Sequence, residues 1–227
     1  TDAHGCTTTA SATITAPEIL TASATGTNVS CHGGSNGSIA LTVSGGTAAY
    51  TYSWSNSATT QNLTGLSAGT YSVTVTDAHG CTTTASKTIT QPDGLTASAT
   101  GTNVSCHGGS NGSIALTVSG GTSAYTYSWS NSATTQNLTG LSAGTYSVTV
   151  TDAHGCTATA SATITAPESL TASATGTNVS CHGGSNGSIA LAVSGGTSAY
   201  TYSWSNSATT QNLTDLSAGT YSVTVTD

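Results

Sequence analysis

Leu66-Ser-Ala-Gly-Thr-Tyr-Ser-Val-Thr-Val-Thr-Asp-Ala-His-Gly-Cys81 decides the fold class. From Tyr71 onward every second residue is large and apolar, so Tyr71, Val73 and Val75 share one face and Ser72, Thr74 and Thr76 the other. Successive side chains of an extended backbone point to opposite sides, and alternation of this kind marks a half-buried strand. Asp77-Ala-His-Gly80 is turn chemistry, because Asp bonds its own backbone and Gly accepts positive φ. Upstream, Tyr50, Tyr52 and Trp54 alternate in the same way, as do Ile39, Leu41 and Val43 between Ser38 and Ser44. Leu20–Thr25, Gln61–Leu66 and Thr82–Thr90 read as further strands, and His32–Gly37, Gly45-Gly46 and Asn56–Thr60 as turns. No stretch has a 3.6-residue period, so the chain is all-β.

The same text returns at a fixed interval. Thr-Asp-Ala-His-Gly-Cys begins at Thr1, Thr76 and Thr151, a period of 75 residues. Residues 17–91 and 92–166 differ at six positions: Glu18/Asp93, Ile19/Gly94, Ala48/Ser123, Thr83/Ala158, Lys87/Ala162 and Gln91/Ala166. This period is too long for a solenoid turn and suits a small autonomous domain. The expected organisation is residues 1–16 as the end of one repeat, 17–91 and 92–166 as complete repeats, and 167–227 as a repeat lacking its last strand. The expectation that follows is a piece of a longer tandem protein.

Composition narrows the function. One basic residue, Lys87, stands against eight acids, for a formal net charge of −7. Nucleic-acid binding needs a basic footprint, and this chain has none. No apolar run approaches the roughly 20 residues of a membrane-spanning helix, and no membrane insertion is expected of this segment. Every repeat carries the same Ser, His and Asp residues, whereas an enzyme seldom tiles near-identical active sites, so no catalysis and no cofactor are expected.

Six or seven short strands in 75 residues, with turns every 8–12, indicate a two-sheet immunoglobulin-like sandwich, and its tandem copies an extended rod. Trp54, Trp129 and Trp204 are its expected core tryptophans. Tyr71, Tyr146 and Tyr221 are expected beside them, each as a tyrosine corner whose phenol ties a turn back to backbone.

Val29-Ser-Cys-His-Gly-Gly-Ser-Asn-Gly-Ser-Ile39, Val43-Ser-Gly-Gly46 and Tyr50-Thr-Tyr-Ser-Trp54, followed by Leu66–Cys81, resemble the SprB-type repeat of giant surface adhesins of Bacteroidetes bacteria. The resemblance covers essentially the whole chain. It implies an exported cell-surface protein using the type IX secretion route, with roles in adhesion or gliding. The partners it implies are surface glycans, other cells or substrata, or like filaments. His32 and His79 stand where the family pattern leads us to expect Asn.

Paired cysteines in an exported repeat read as disulfides. Each complete repeat holds two, Cys31/Cys81 and Cys106/Cys156, while Cys6 and Cys181 are expected to find partners outside this segment. With six strands in strict alternation, the Cys31 and Cys81 turns lie at one end and close within the repeat. With a seventh strand around Asn56–Thr60 they lie at opposite ends, and Cys31 faces Cys156 of the next repeat. The short intervening loop makes Cys31–Cys81 and Cys106–Cys156 the preferred pairs. A zinc site of Cys31, His32, His79 and Cys81 is the minor alternative, its spacing being unlike the usual Cys-x₂₋₄-Cys arrangement. Asn28, Asn36 and Asn62 open sequons that read as composition in a bacterial protein. Tyr50, Tyr52 and Trp54 would form a sugar-stacking stripe only if exposed, and a core role is preferred.

Overall fold

The computed structural model describes residue 1 and residues 3–227. Seventeen strands and no helix occur among the described residues. The first complete repeat contributes β1 (Thr21–Thr27), β2 (Gly37–Ser44), β3 (Thr51–Trp54), β4 (Leu63–Leu66), β5 (Gly69–Thr76) and β6 (Thr82–Ile89). The second repeats this set as β7 (Thr96–Thr102) to β12 (Thr157–Ile164), and the third runs from β13 (Thr171–Thr177) to β17 (Val223–Thr226).

In the first repeat β1-β2-β4 form one sheet and β3-β5-β6 the other, with every pairing antiparallel. The alternation read from sequence sets the inner faces. Ile39 and Leu41 of β2 and Leu63 and Leu66 of β4 meet Trp54, Val73, Val75 and Ile89 from the opposite sheet, with Val29 added from the β1–β2 turn. The second repeat builds the same core from Ile114, Leu116, Trp129, Leu138, Leu141, Val148, Val150, Ile164 and Val104. Cores this small leave a domain marginally stable, so each contact counts.

The two sheets exchange a chain without reversing it. β3 is antiparallel to β5, and β4 is antiparallel to β2. β2 and β5 run toward the same end, because Thr47, just after β2, and Asp77, just after β5, are hydrogen-bonded there (Thr47 N–H to Asp77 Oδ2, 2.9 Å). β3 and β4 therefore run in one direction, four residues in one sheet and then four in the other. The hop between them is held locally. Trp54 N–H donates to Ala58 O at 3.0 Å, and Ser57 takes φ 65° at the tip. Asn62 Oδ1 accepts Leu41 N–H and Gln61 Nε2 donates to Leu41 O, so side chains stand in for a ladder beside β2.

The third repeat shows what its neighbours gain from a sixth strand. Ile89 lies against Gly26 and Gly37, with 2.8 Å from its Cδ1 and Cγ2 respectively to where a Cβ would stand on each glycine. Among the described residues of the third repeat no such strand pairs with β17, and a cleft of about 310 Å³ lies beside Gly176, Gly187, Ile189, Leu216 and Tyr221. Val223 and Val225 are only half-buried there, whereas their equivalents Val73 and Val75 are fully buried. Residues 5–20 form no strand, and Ile14 is 97% exposed.

Two compact units divide the chain. One comprises Thr1–Gly94 with Gly120–Thr122 and His154–Cys156, and the other Leu95–Ser119, Ser123–Ala153 and Thr157–Asp227. Two turns of the second repeat thus belong to the unit built on the first.

Candidate functional site

The chemistry of the first unit concentrates in two kinds of turn. The β1–β2 turn carries Cys31. Ser30 N–H donates to Asn36 Oδ1 (3.0 Å), Asn36 Nδ2 to Ser30 Oγ (2.6 Å), and Gly34 N–H to Cys31 O (3.0 Å). The turn is fastened to the end of β6. Val29 N–H donates to Thr90 O, Thr90 N–H to Asn28 Oδ1, and Gly33 N–H to Gln91 Oε1 at 2.8 Å. His32 Nδ1 sits 3.1 Å from Gln91 Nε2 and 3.2 Å from Pro92 O. Small residues and short amides let the backbone fold tightly here, and every bond fixes the direction of the Cys31 side chain.

The β5–β6 turn carries Cys81 and is organised by one carboxylate. Asp77 is only 5% exposed. Its Oδ1 accepts the N–H groups of His79 (3.0 Å) and Cys81 (2.8 Å), and its Oδ2 that of Thr47. The Thr47 N–H is the largest cause holding the Asp77 carboxyl below the ordinary range. Partial burial opposes it, and the Cys81 and His79 N–H groups reinforce it. Ala78 N–H donates to Thr47 O, so this turn and the β2–β3 turn form one end of the sandwich.

Cys31 is disulfide-bonded to Cys156, 125 residues along the chain. The preferred pairings Cys31–Cys81 and Cys106–Cys156 are not made, and Cys81, Cys106 and Cys181 are exposed free thiols. The reason is the hop between β3 and β4. It removes one reversal from six strands, so the Cys31 and Cys81 turns lie at opposite ends of the repeat. They are separated by the length of an eight-residue strand, roughly 26 Å. Disulfide geometry requires Cα atoms within about 7 Å, which no local shift could supply. The observed Cα–Cα distance for Cys31–Cys156 is 5.8 Å. The same separation dissolves the zinc alternative. Cys31 and His32 lie at one end and His79 and Cys81 at the other. No cluster of three or more metal-ligating side chains occurs among the described residues.

Around the disulfide, Cys156 Sγ lies 3.6 Å from Ser30 O, and His154 Nδ1 contacts Thr122 Oγ1 at 3.2 Å. Gly121 N–H donates to Asp93 O at 2.8 Å, which ties the short linker after Pro92 to the same unit.

Trp54, Trp129 and Trp204 are buried, each 3% exposed, and their indole N–H groups donate to the carbonyls of Thr60, Thr135 and Thr210. Tyr71, Tyr146 and Tyr221 are half-buried against the cores, and each phenol donates to a carbonyl four residues back, at Ser67, Ser142 and Ser217. With Trp54 between the sheets, Tyr50, Tyr52 and Trp54 form no solvent-facing stripe. The three sequon asparagines of the first repeat spend their amides on backbone: Asn28 caps Thr90, Asn36 caps Ser30 and Asn62 caps Leu41. Sequence reasoning missed these caps and the Gln91 bridge to His32. The exact 75-residue recurrence of each Asn, beside turns that lack Pro, was the available signal.

The SprB repeat family model matches residues 23–59, 98–134 and 173–209. No curated protein matches the chain in sequence. Among solved structures, one determined for the structural basis of Dscam isoform specificity is 16% identical, with a TM-score of 0.29, over 57% of this chain and 40% of that one. A tetra-tandem repeat in the extending region of a large adhesion protein is 15% identical, with a TM-score of 0.26, over 91% of this chain and 63% of that one. This chain thus spans less than two thirds of either, and neither score is high enough to carry an inference. The family match instead falls once in each copy, at one register, from β1 through the turn that bears Cys31 to the hop after Trp54, and on that footing the chain carries three SprB-type repeats.

Proposed function

We propose that this chain is a segment of an exported bacterial cell-surface adhesin, in which tandem repeats supply reach, mechanical strength and multivalent contact during adhesion or gliding. The type IX route is its path out of the cell, and its partners are surface glycans, other cells or substrata, or like filaments. The observation that carries this reading is the disulfide from Cys31 of one repeat to Cys156 of the next. A bond across the joint has no value to a domain that acts alone, and it suits a chain that is pulled. Many identical weak contacts then add as avidity, provided the joints hold. Structural disulfides persist only in oxidising surroundings, which agrees with export.

Single-molecule pulling from the two ends tests the mechanical half. Oxidised chain should withhold the residues between Cys31 and Cys156, roughly 450 Å of contour at about 3.6 Å per residue. Reductant should release that length. Equal contour lengths with and without reductant would defeat the mechanical reading. Beads coated with the chain test the adhesive half: they should be retained on cell or polysaccharide surfaces with strength rising steeply with coating density. A second reading, a spacer whose binding tip lies elsewhere, is supported by the burial of Trp54, since no aromatic stripe is offered to a sugar. It predicts normal pulling behaviour and no bead retention.

A further inference from the structure

The β1–β2 turn recurs in all three repeats, but only Cys31 is bonded. We propose that the Cys106 turn is a second docking site of the same kind, and that its occupant is the Asp-x-x-Gly-Cys turn of a repeat that follows in the same chain, joined to Cys106 by a disulfide across a separation of 125 residues.

The turn takes its shape without the bond. At Cys106, Ser105 N–H donates to Asn111 Oδ1 (3.1 Å), Asn111 Nδ2 to Ser105 Oγ (2.8 Å) and Gly109 N–H to Cys106 O (3.0 Å). These are the bonds found around Cys31, with lengths alike to 0.2 Å. The linker contact is reproduced too: His107 Nδ1 lies 3.2 Å from Pro167 O, as His32 Nδ1 lies 3.2 Å from Pro92 O. Val104 N–H donates to Thr165 O where Val29 N–H donates to Thr90 O. The Cys106 turn therefore keeps the Asn, Gly and linker bonds of the Cys31 turn, without the two Gln91 contacts that Ala166 cannot make, and its thiol is exposed. The other half of the pair is equally ready-made. Asp77 fixes the turn around the exposed Cys81 by accepting its N–H, before any disulfide forms. Thr151–Cys156, which has the sequence of Thr76–Cys81, is the turn that Cys31 has taken. Both partners are thus preorganised, which lowers the ordering cost of docking.

The inference stands on turn geometry and not on the adhesin reading. Closure is a two-electron oxidation, and its oxidant is a low-molecular-weight disulfide. One thiolate attacks that disulfide, giving a mixed disulfide and one released thiol. The second thiolate then displaces the other half as a second thiol, so the two cysteine protons and two electrons end on the two released thiols.

The test completes the third repeat by appending a copy of residues 153–166 after Asp227, which places a cysteine at position 231. Oxidised glutathione is the oxidant, and the fluorescence of Trp204, in a Trp54→Phe, Trp129→Phe background, reports folding of the third repeat independently. Non-reducing mass analysis with and without Cys106→Ser should find one disulfide more than in the parent chain, lost on that substitution. Pairing of the added cysteine with Cys106 should exceed pairing with Cys181 or Cys81 at least tenfold. A chain lengthened by a whole copy of residues 92–166 is the second variant, should the short extension not fold. The proposal is overturned if the added cysteine stays open to alkylation while Cys31–Cys156 forms. It is equally overturned if that cysteine pairs with Cys181 of its own repeat, or if the bond appears only between separate chains.

Discussion

Replacing Cys156 by Ser cuts the tie between the first two repeats and should cost about 4 kcal/mol in the stability of either one. When the first repeat unfolds beside a folded second, the chain from Cys31 to the linker at Pro92 is held as a closed loop of roughly 60 residues. The loop-entropy relation gives about 4 kcal/mol for a ring of that size, and about 5 kcal/mol when both repeats open across the full separation. For domains this small each kcal/mol moves the melting temperature by about 4–8 °C, so the shift should exceed roughly 15 °C. Urea denaturation followed by tryptophan fluorescence, without reductant, reads the change. Cys31→Ser should match Cys156→Ser, and the double substitution should cost no more than either, because one bond is lost in all three. Cys81→Ser and Cys106→Ser should each stay within about 0.5 kcal/mol of the parent, as exposed substitutions do. The reasoning is refuted if Cys81→Ser proves as costly as Cys31→Ser, for then the bond closes within a repeat.

Three further outcomes follow from the cores and turns. Ile89→Ala should destabilise the first repeat by about 3–4 kcal/mol in urea melts, since Ile89 is buried over Gly26 and Gly37 and nothing else can fill the space. Asp215→Gly should stabilise the third repeat by about 1 kcal/mol in the same assay. Asp215 holds φ 57° where Gly65 and Gly140 hold about 70°, in a conformation that glycine adopts without side-chain strain. The third concerns pH. The Asp77 carboxyl is depressed in the folded turn, so its contribution is fully present above the unfolded carboxylate range near pH 4 and is lost as pH falls through the lower folded value. Hydrogen exchange at the Cys81 amide, measured from pH 6 down to pH 2, should show protection fall in that window, and Asp77→Asn should remove the pH dependence.

Much of the fold was legible because its strands are long enough to alternate. β2, β5 and β6 each run eight residues, and their inner positions, Ile39, Leu41, Val73, Val75 and Ile89, are also their large apolar ones. The 75-residue identity located the repeats without any structural argument. The disulfide was legible only as two alternatives, since its choice turns on the direction of β4. Asn56–Thr60 has the composition of a reversal, and alternation records which face a residue takes but not which sheet receives the next strand. Strand length held the missing signal. β3 and β4, at four residues each, together make one strand of the ordinary length, as expected of a chain that changes sheet halfway. The asparagine caps were obscured for a different reason. A side-chain amide that satisfies a distant N–H, as Asn62 does for Leu41, leaves no periodic trace.

Lys87 is the sole basic residue, and it falls on β6 between Cys31 and Cys156. A tryptic nick after it would open a covalent ring and sever nothing: the two halves would stay fastened through the bridge and migrate as one species until reduced. A backbone closed by such a loop survives a cut within it the way a chain-link fence survives a snipped wire. Severing the chain within that loop requires both a protease and a reductant.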